Sequence, residues 1–300
     1  LHKAIRRQRQ MCIRDRIVVL PVHEVSGNAE LAEGNIDFRG DIVIHGNVES
    51  GVNIRATGSI TIDGVAEACM LEAGKDIILR GGMLGGNKAS VKTKGAITAK
   101  FFEFTNILCE GDLQADVLMD CSVICHGQIR LTGRKGSIIG GKVQAIRGLI
   151  ATSLGNDAEK RTEIFVGAGI DVYSRLRVME KKIETTREEL AKIEEGLEKF
   201  EILSKERGVS YTNDPRRTSL LRIKIKDSAM LASDEEEVRK LRILAESSRG
   251  ACVSVIQEIY PGVIINMDEL KLALKNMATG VEFYKLPDKI GTRPCSAGVE

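Results

Sequence analysis

Residues 34–64 read GNIDFRGDIVIHGNVESGVNIRATGSITIDG, and a single alternation runs through them. Ile36 and Phe38, Ile42 and Ile44, Ile54 and Ala56, and Ile60 and Ile62 are each two apart, with another residue between. A period of two is that of a strand with one face turned inward. Gly40 and Gly58 stand between the pairs, where a tight bend would fall.

The unit recurs. With Gly40, Gly58, Lys75, Gly95, Gly111, Gly127 and Arg147 as zero positions, the steps are 18, 17, 20, 16, 16 and 20 residues. Two residues on stand Ile42, Ile60, Ile77, Ile97, Leu113, Ile129 and Leu149; four on stand Ile44, Ile62, Leu79, Ala99, Ala115, Leu131 and Ala151. Four back stand Ile36, Ile54, Leu71, Val91, Ile107, Val123 and Val143; two back stand Phe38, Ala56, Ala73, Thr93, Cys109, Cys125 and Ala145. No member of the four columns is charged. One coil cannot bury its own apolar face, so the stack is the folding unit. The expected fold is mainly β, a parallel β-helix over 17–170. Seven Phe, four Tyr, no Trp and 30 Gly suit thin coils with an aliphatic lining.

Two coils are longer, through Gly82–Lys88 (GMLGGNK) and Gly133–Lys142 (GRKGSIIGGK). Both are expected at one point of the coil, as loops on one edge. Lys88, Arg134, Lys135 and Lys142 make them candidate anion- or partner-contacting loops; wide turns with solvated bases are the other reading. Neither loop has a phosphate-loop pattern.

After Gly167 the period changes. Leu176, Ile183, Leu190 and Leu197 recur every seven residues, and Met179, Thr186, Ile193 and Phe200 follow each by three. This is a coiled-coil seam. Gly208–Arg217 (GVSYTNDPRR) reads as a turn, and a second helix follows with a poorer seam. Leu220, Leu231, Val238, Leu241 and Ala245 fit it, but Lys224, Asp227 and Asp234 fall on it too. A short connection predicts an antiparallel hairpin over 171–249; the alternative is that the first helix pairs with another subunit. Beyond Gly250 the strand pattern returns in 251–266 and 281–285, and 250–300 is expected to cap the solenoid and end in a disordered tail.

Charge is uneven. Residues 1–16 carry Lys3, Arg6, Arg7, Arg9, Arg14 and Arg16 against Asp15, while the whole chain is +2. This segment reads as non-native sequence or a disordered basic tail, and a nucleic-acid role would rest on it alone. No stretch approaches the ~18 apolar residues of a membrane span. Seven Cys without a paired framework suit a reduced, cytoplasmic protein.

Chemistry is sparse. His23, His45 and His126 read as solvated turn residues, His45 and His126 without a Ser or Asp at a useful spacing. Cys121, Cys125, His126 and Cys109 suggest a metal cluster at first sight, but Cys109 and Cys125 belong to the small-residue column. Asp41, Asp63, Asp76, Asp112 and Asp116 are scattered on outward positions, and Asp76 and Asp112 suit turn duty. No catalytic residue, cofactor or metal is expected.

The stretch 34–64, FFEFTNILCEGDL at 101–113, GRKGSIIGGKVQA at 133–145, the coiled coil and YPGV at 260–263 together resemble the flagellar assembly protein A family. The resemblance covers about Gly27 to Lys285. It implies a right-handed parallel β-helix with an inserted coiled-coil hairpin, a bacterial cytoplasmic location and a role in flagellar assembly or its regulation. It also implies that a domain preceding the solenoid is missing here. The expected protein is a non-catalytic scaffold or regulatory binding protein. Its protein partners would dock on the hairpin or the outer solenoid faces, and homo-oligomers are open. The competing expectations are a solenoid acyltransferase or polysaccharide-acting enzyme, and a polymer-forming bactofilin-like protein.

Overall fold

The computed structural model describes residues 5–13, 16–207 and 214–295. They fall into two compact units, one built from the chain up to Gly169 and from Ser247 onward, the other from Ile170–Glu246. The first is a β-solenoid of about eight turns. All four sequence columns are stacked in parallel register, as in Ile54 beside Leu71, Ile60 beside Ile77 and Cys109 beside Cys125. Ile42, Ile60, Ile77, Ile97, Leu113, Ile129 and Leu149 are fully buried.

Each coil has three walls, the third reduced to isolated bridges at Val48 in the first coil. The first sheet stacks segments such as Asn53–Ala56, Met70–Ala73 and Ser122–Cys125. The second stacks Asp41–Ile44, Ile60–Ile62, Ile77–Leu79 and Ile97–Ala99. The third contains Ala66–Glu67, Val117–Met119 and Ser137–Ile139. Its inward column runs Val48, Ala66, Met83, Phe102, Leu118, Ile138 and Leu154, all buried. Volumes compensate between walls: where the second sheet narrows to Ala99 and Ala115, the third supplies Phe102 and Leu118.

The corner between the first and second sheets has constant length. Ile36 to Ile42, Leu71 to Ile77, Val91 to Ile97 and Val143 to Leu149 all span the same step. Most of its glycines do not have left-handed backbones; Gly40 (φ 156°) and Gly148 (φ 113°) do. Gly58, Gly95 and Gly127 answer a different constraint. A Cβ on them would lie 2.1, 2.3 and 2.3 Å from the Oδ1 of Asp41, Asp76 and Asp112 in the preceding coil. Those carboxylates accept the backbone N–H of Ser59, Ala96 and Gln128, each at 2.8 Å. Turn duty is thus right for Asp76 and Asp112, but the turn they serve is the next coil's.

The aspartates occupy alternate coils, with Ser59, Ala96 and Gln128 between them. Carboxylates in consecutive coils would stand about 5 Å apart with like charge. At the next corner the first coils carry neutral acceptors in consecutive coils: Asn28 accepts from Asn47 N–H, and Asn47 accepts from Val65 N–H.

The second unit is a helical hairpin of α1 (Gly169–Arg207) and α2 (Pro215–Ser247). The expected turn lies outside the described residues over 208–213. All eight seam positions of α1 are shielded, and Ile183 and Thr186 are buried. On α2, Leu220, Lys224, Asp227, Leu231, Asp234, Val238, Leu241 and Ala245 form one shielded heptad stripe. Two of its three charged members have partners on the other helix: Lys224 meets Glu194 at 2.7 Å and Asp234 meets Lys182 at 2.7 Å. Arg175–Glu237, Arg187–Glu235 (2.5 Å) and Glu180–Arg242 (2.6 Å) join the first half of α1 to the second half of α2. The helices are therefore antiparallel partners within one chain. No described helix is long and apolar enough to cross a membrane.

The hairpin enters at the first-to-second-sheet corner of the last coil. Thr162–Val166 lies in the first sheet, and Cys252–Ile259 resumes in the second beside Leu149–Leu154. Val263–Met267 then stacks in parallel on Thr162–Val166 and completes the coil. From there the pairing reverses: Leu270–Ala273 runs antiparallel on Val263–Met267, and Ala278–Lys285 and Ile290–Pro294 follow antiparallel on Cys252–Ile259. At the other end, Ile5–Ile13 pairs antiparallel with Arg16–Val25, which lies parallel to Asp41–Ile44.

Gly127→Ala is expected to lower stability by ~1–3 kcal/mol through overpacking against Asp112 and the Gly111 carbonyl. Gly27→Ala, which meets nothing within 4 Å, should change it by less than about 0.5 kcal/mol. Urea titration followed by circular dichroism makes the comparison; equal midpoints for the two variants would contradict the corner constraint.

Candidate functional site

The Gly-rich loops do not share an edge. Lys88 sits on a bulge between the third and first sheets, where Gly86 (φ 54°) and Asn87 (φ 62°) are left-handed and the pairing shifts between Leu84 and Ala89. Arg134 and Lys135 lie on the turn between Ile129–Leu131 and Ser137–Ile139, at the corner of the second and third sheets. The expectation of one edge is corrected: equal coil lengthening hid two different corners. Lys142 lies on the outer face of the first sheet, its Nζ 4.6 Å from the Phe165 ring centre. These four cations do not converge.

The second loop does bind a carboxylate, but the chain's own. Asp116 Oδ1 accepts the backbone N–H groups of Lys135 and Gly136 at 2.8 and 2.9 Å. Asp116 thus joins Asp41, Asp76 and Asp112 as a corner residue serving the next coil.

His45 has partners that sequence spacing concealed. Its Nδ1 lies 2.8 Å from Asp63 Oδ2, and its Nε2 lies 2.8 Å from Glu24 Oε1. Arg80 continues the line, with Nη1 3.2 Å from Asp63 Oδ1. Asp63 is 18 residues beyond His45, which is one coil. A neutral imidazole has one N–H and can donate to one carboxylate; here both nitrogens face one. The hydrogen bond to Glu24, then that to Asp63, raises the His45 pKa above its ordinary value. His23 instead tilts against Phe38, ring centres 5.4 Å apart.

Cys69, Cys109, Cys121 and Cys125 are interior wall. Cys109 and Cys125 are stacked in adjacent coils, and their thiols donate to the carbonyls of Gly95 and Gly111, each at 3.2 Å. Burial pushes the Cys69 thiol up to about 12 and that of Cys121 up to about 11, which holds both protonated.

On the hairpin, charge is divided along its length. The part nearest the chain's exit and re-entry has cross-helix pairs at Arg175, Lys182, Arg187 and Arg242. The first three turns of α2 differ. Arg216, Arg217, Arg222, Lys224 and Lys226 fall within eleven residues without an acid among them. Lys224 pairs with Glu194; the other four have no ion pair among the described residues.

Residues 21–290 match the family described as the Flagellar Assembly Protein A beta solenoid domain. The chain belongs to that family. No curated protein and no solved structure matches it.

A group whose folded pKa is raised stabilises the fold below its unfolded pKa, and that contribution disappears as pH rises through the folded value. For His45 it is complete below about pH 6.5 and fades above. The melting-temperature advantage of the native protein over His45→Gln should be greatest near pH 6 and shrink toward pH 9. A constant difference across that range would show that the imidazolium is not what joins the coils.

Proposed function

We propose that this member of the Flagellar Assembly Protein A beta solenoid family is a non-catalytic, cytoplasmic scaffold or regulatory protein of flagellar assembly that captures a protein partner through its helical hairpin. One observation carries the reading. The corner that the other coils close in a constant short step is here given to a separate unit, Ile170–Glu246, with its own seam. Coil geometry does not require that unit. The family's name ties the chain to flagellar assembly.

The outward carboxylates support a structural reading of the solenoid. Asp41, Asp76, Asp112 and Asp116 hold backbone amides of neighbouring coils. A polymer built by end-to-end stacking is disfavoured by the antiparallel strands at the C-terminal end of the sheets.

Replacing Ile170–Glu246 by a short Gly-Ser turn tests the assignment. The solenoid should retain its β circular dichroism and stay monodisperse, while affinity capture of partners from the native host and flagellar assembly in that host are both lost. Undiminished capture by the shortened chain would remove the hairpin as the binding element. Filaments of the intact protein in negative stain would favour the polymer instead.

A further inference from the structure

The start of α2 combines exposed aliphatic side chains with cations that have no ion pair among the described residues. Arg222, Ile225, Lys226 and Ala229 follow the i, i+3, i+4, i+7 spacing of one helix face, and all four are exposed. Arg216, Ile223 and Met230, seven apart in turn, form a separate exposed stripe. Ile225 is 70 % exposed, Ile223 42 % and Met230 38 %. The seam with α1 does not use these side chains, since it runs through Leu220, Lys224, Asp227 and Leu231. The side chains of Arg216, Arg222 and Lys226 have no ion pair among the described residues, while Arg175, Lys182, Arg187 and Arg242 further along the hairpin pair across the helices.

We propose that this cationic and aliphatic face, centred on Arg222, Ile225 and Lys226, is a docking surface for an acidic amphipathic segment of a partner protein. The proposal rests on the reading of the hairpin as the partner-binding unit and specifies the partner's chemistry. Complementarity requires Asp or Glu side chains flanking an apolar stripe. The carboxylates meet Arg222 and Lys226, and the stripe covers Ile225 and Ala229. Uncompensated charge at the rim steers encounter, and aliphatic burial holds the complex.

Other polyanions fit less well. Single-stranded nucleic acid is held by aromatic platforms, and α2 has no aromatic residue. A helix lying on a membrane buries a continuous apolar face. The shielded stripe of α2 faces α1, and the exposed large apolar side chains Ile223, Ile225, Met230 and Ile243 form no continuous face.

The test uses the intact chain and fluorescence anisotropy. The probe is a labelled helical peptide with Leu at i, i+3 and i+7 and Glu beside them; its Gln-for-Glu counterpart is the control. Binding to the acidic probe only is expected, weakening as salt rises from about 50 to 300 mM. Arg222→Glu combined with Lys226→Glu should weaken it about tenfold or more, and Ile225→Ser about threefold, with helix content unchanged. Equal binding of the Gln peptide, or no binding of the acidic peptide, overturns the proposal. So does tighter binding of phosphatidylglycerol vesicles or a single-stranded oligonucleotide that the double variant abolishes. The chain shortened at Ile170–Glu246 separates the two claims. Binding kept by the double variant but lost on shortening overturns this face and leaves the hairpin reading intact. Binding kept by the shortened chain overturns both.

Discussion

Successive coils of the solenoid approach so closely at their corners that one coil's side chain occupies the place of the next coil's Cβ. Asp41 above Gly58, Asp76 above Gly95, Asp112 above Gly127, and Asn47 above Gly64 all show it. A corner amide that leaves the sheet ladder must still find an acceptor, because an unpaired amide costs about 1–3 kcal/mol. The Asx side chain supplies the acceptor, and glycine makes room for it. The aliphatic columns depend on this arrangement, since it sets the register at which each Ile sits on the next. Charge then dictates spacing: aspartates skip a coil, whereas the uncharged asparagines need not.

The sequence exposed the two sheets on either side of the constant corner, because the step from Ile36 to Ile42 recurs unchanged down the stack. The third sheet was not legible. Its column lies eight residues past the zero position at Val48, Ala66 and Met83, seven at Phe102 and Leu118, and eleven at Ile138. A column read at fixed offset dissolves when the loops before it vary. The same variation disguised the two long coils as equivalent, although one is lengthened before the first sheet and the other before the third. The Glu24–His45–Asp63 line was hidden for a related reason. Neighbours across coils are some 18 residues apart in sequence, and a search for local motifs passes over them.

The hairpin was easier to read than its second seam suggested. Lys224, Asp227 and Asp234 look like errors in a heptad, yet Lys224 and Asp234 find partners in Glu194 and Lys182. Such pairs stabilise little in themselves. They do select orientation. Cations Arg175 and Lys182 near the start of α1 face acids Glu237 and Asp234 near the end of α2. A parallel arrangement would oppose Arg175 to the cationic first turns of α2.

Inserting the hairpin at a corner also affects how the chain folds. Coils up to Val143 close over steps of 16 to 20 residues, so each can grow on its neighbour as a local event. The last one joins Ile164 to Asn266, 102 residues away. Closing a loop of that length as random coil is slow and entropically costly. A hairpin that zips first brings residue 169 close to 247 and reduces the search to a local one. Nucleation of the helices would thus precede closure of the final coil, and the order of events would run from the middle of the chain outward to its C-terminal strands.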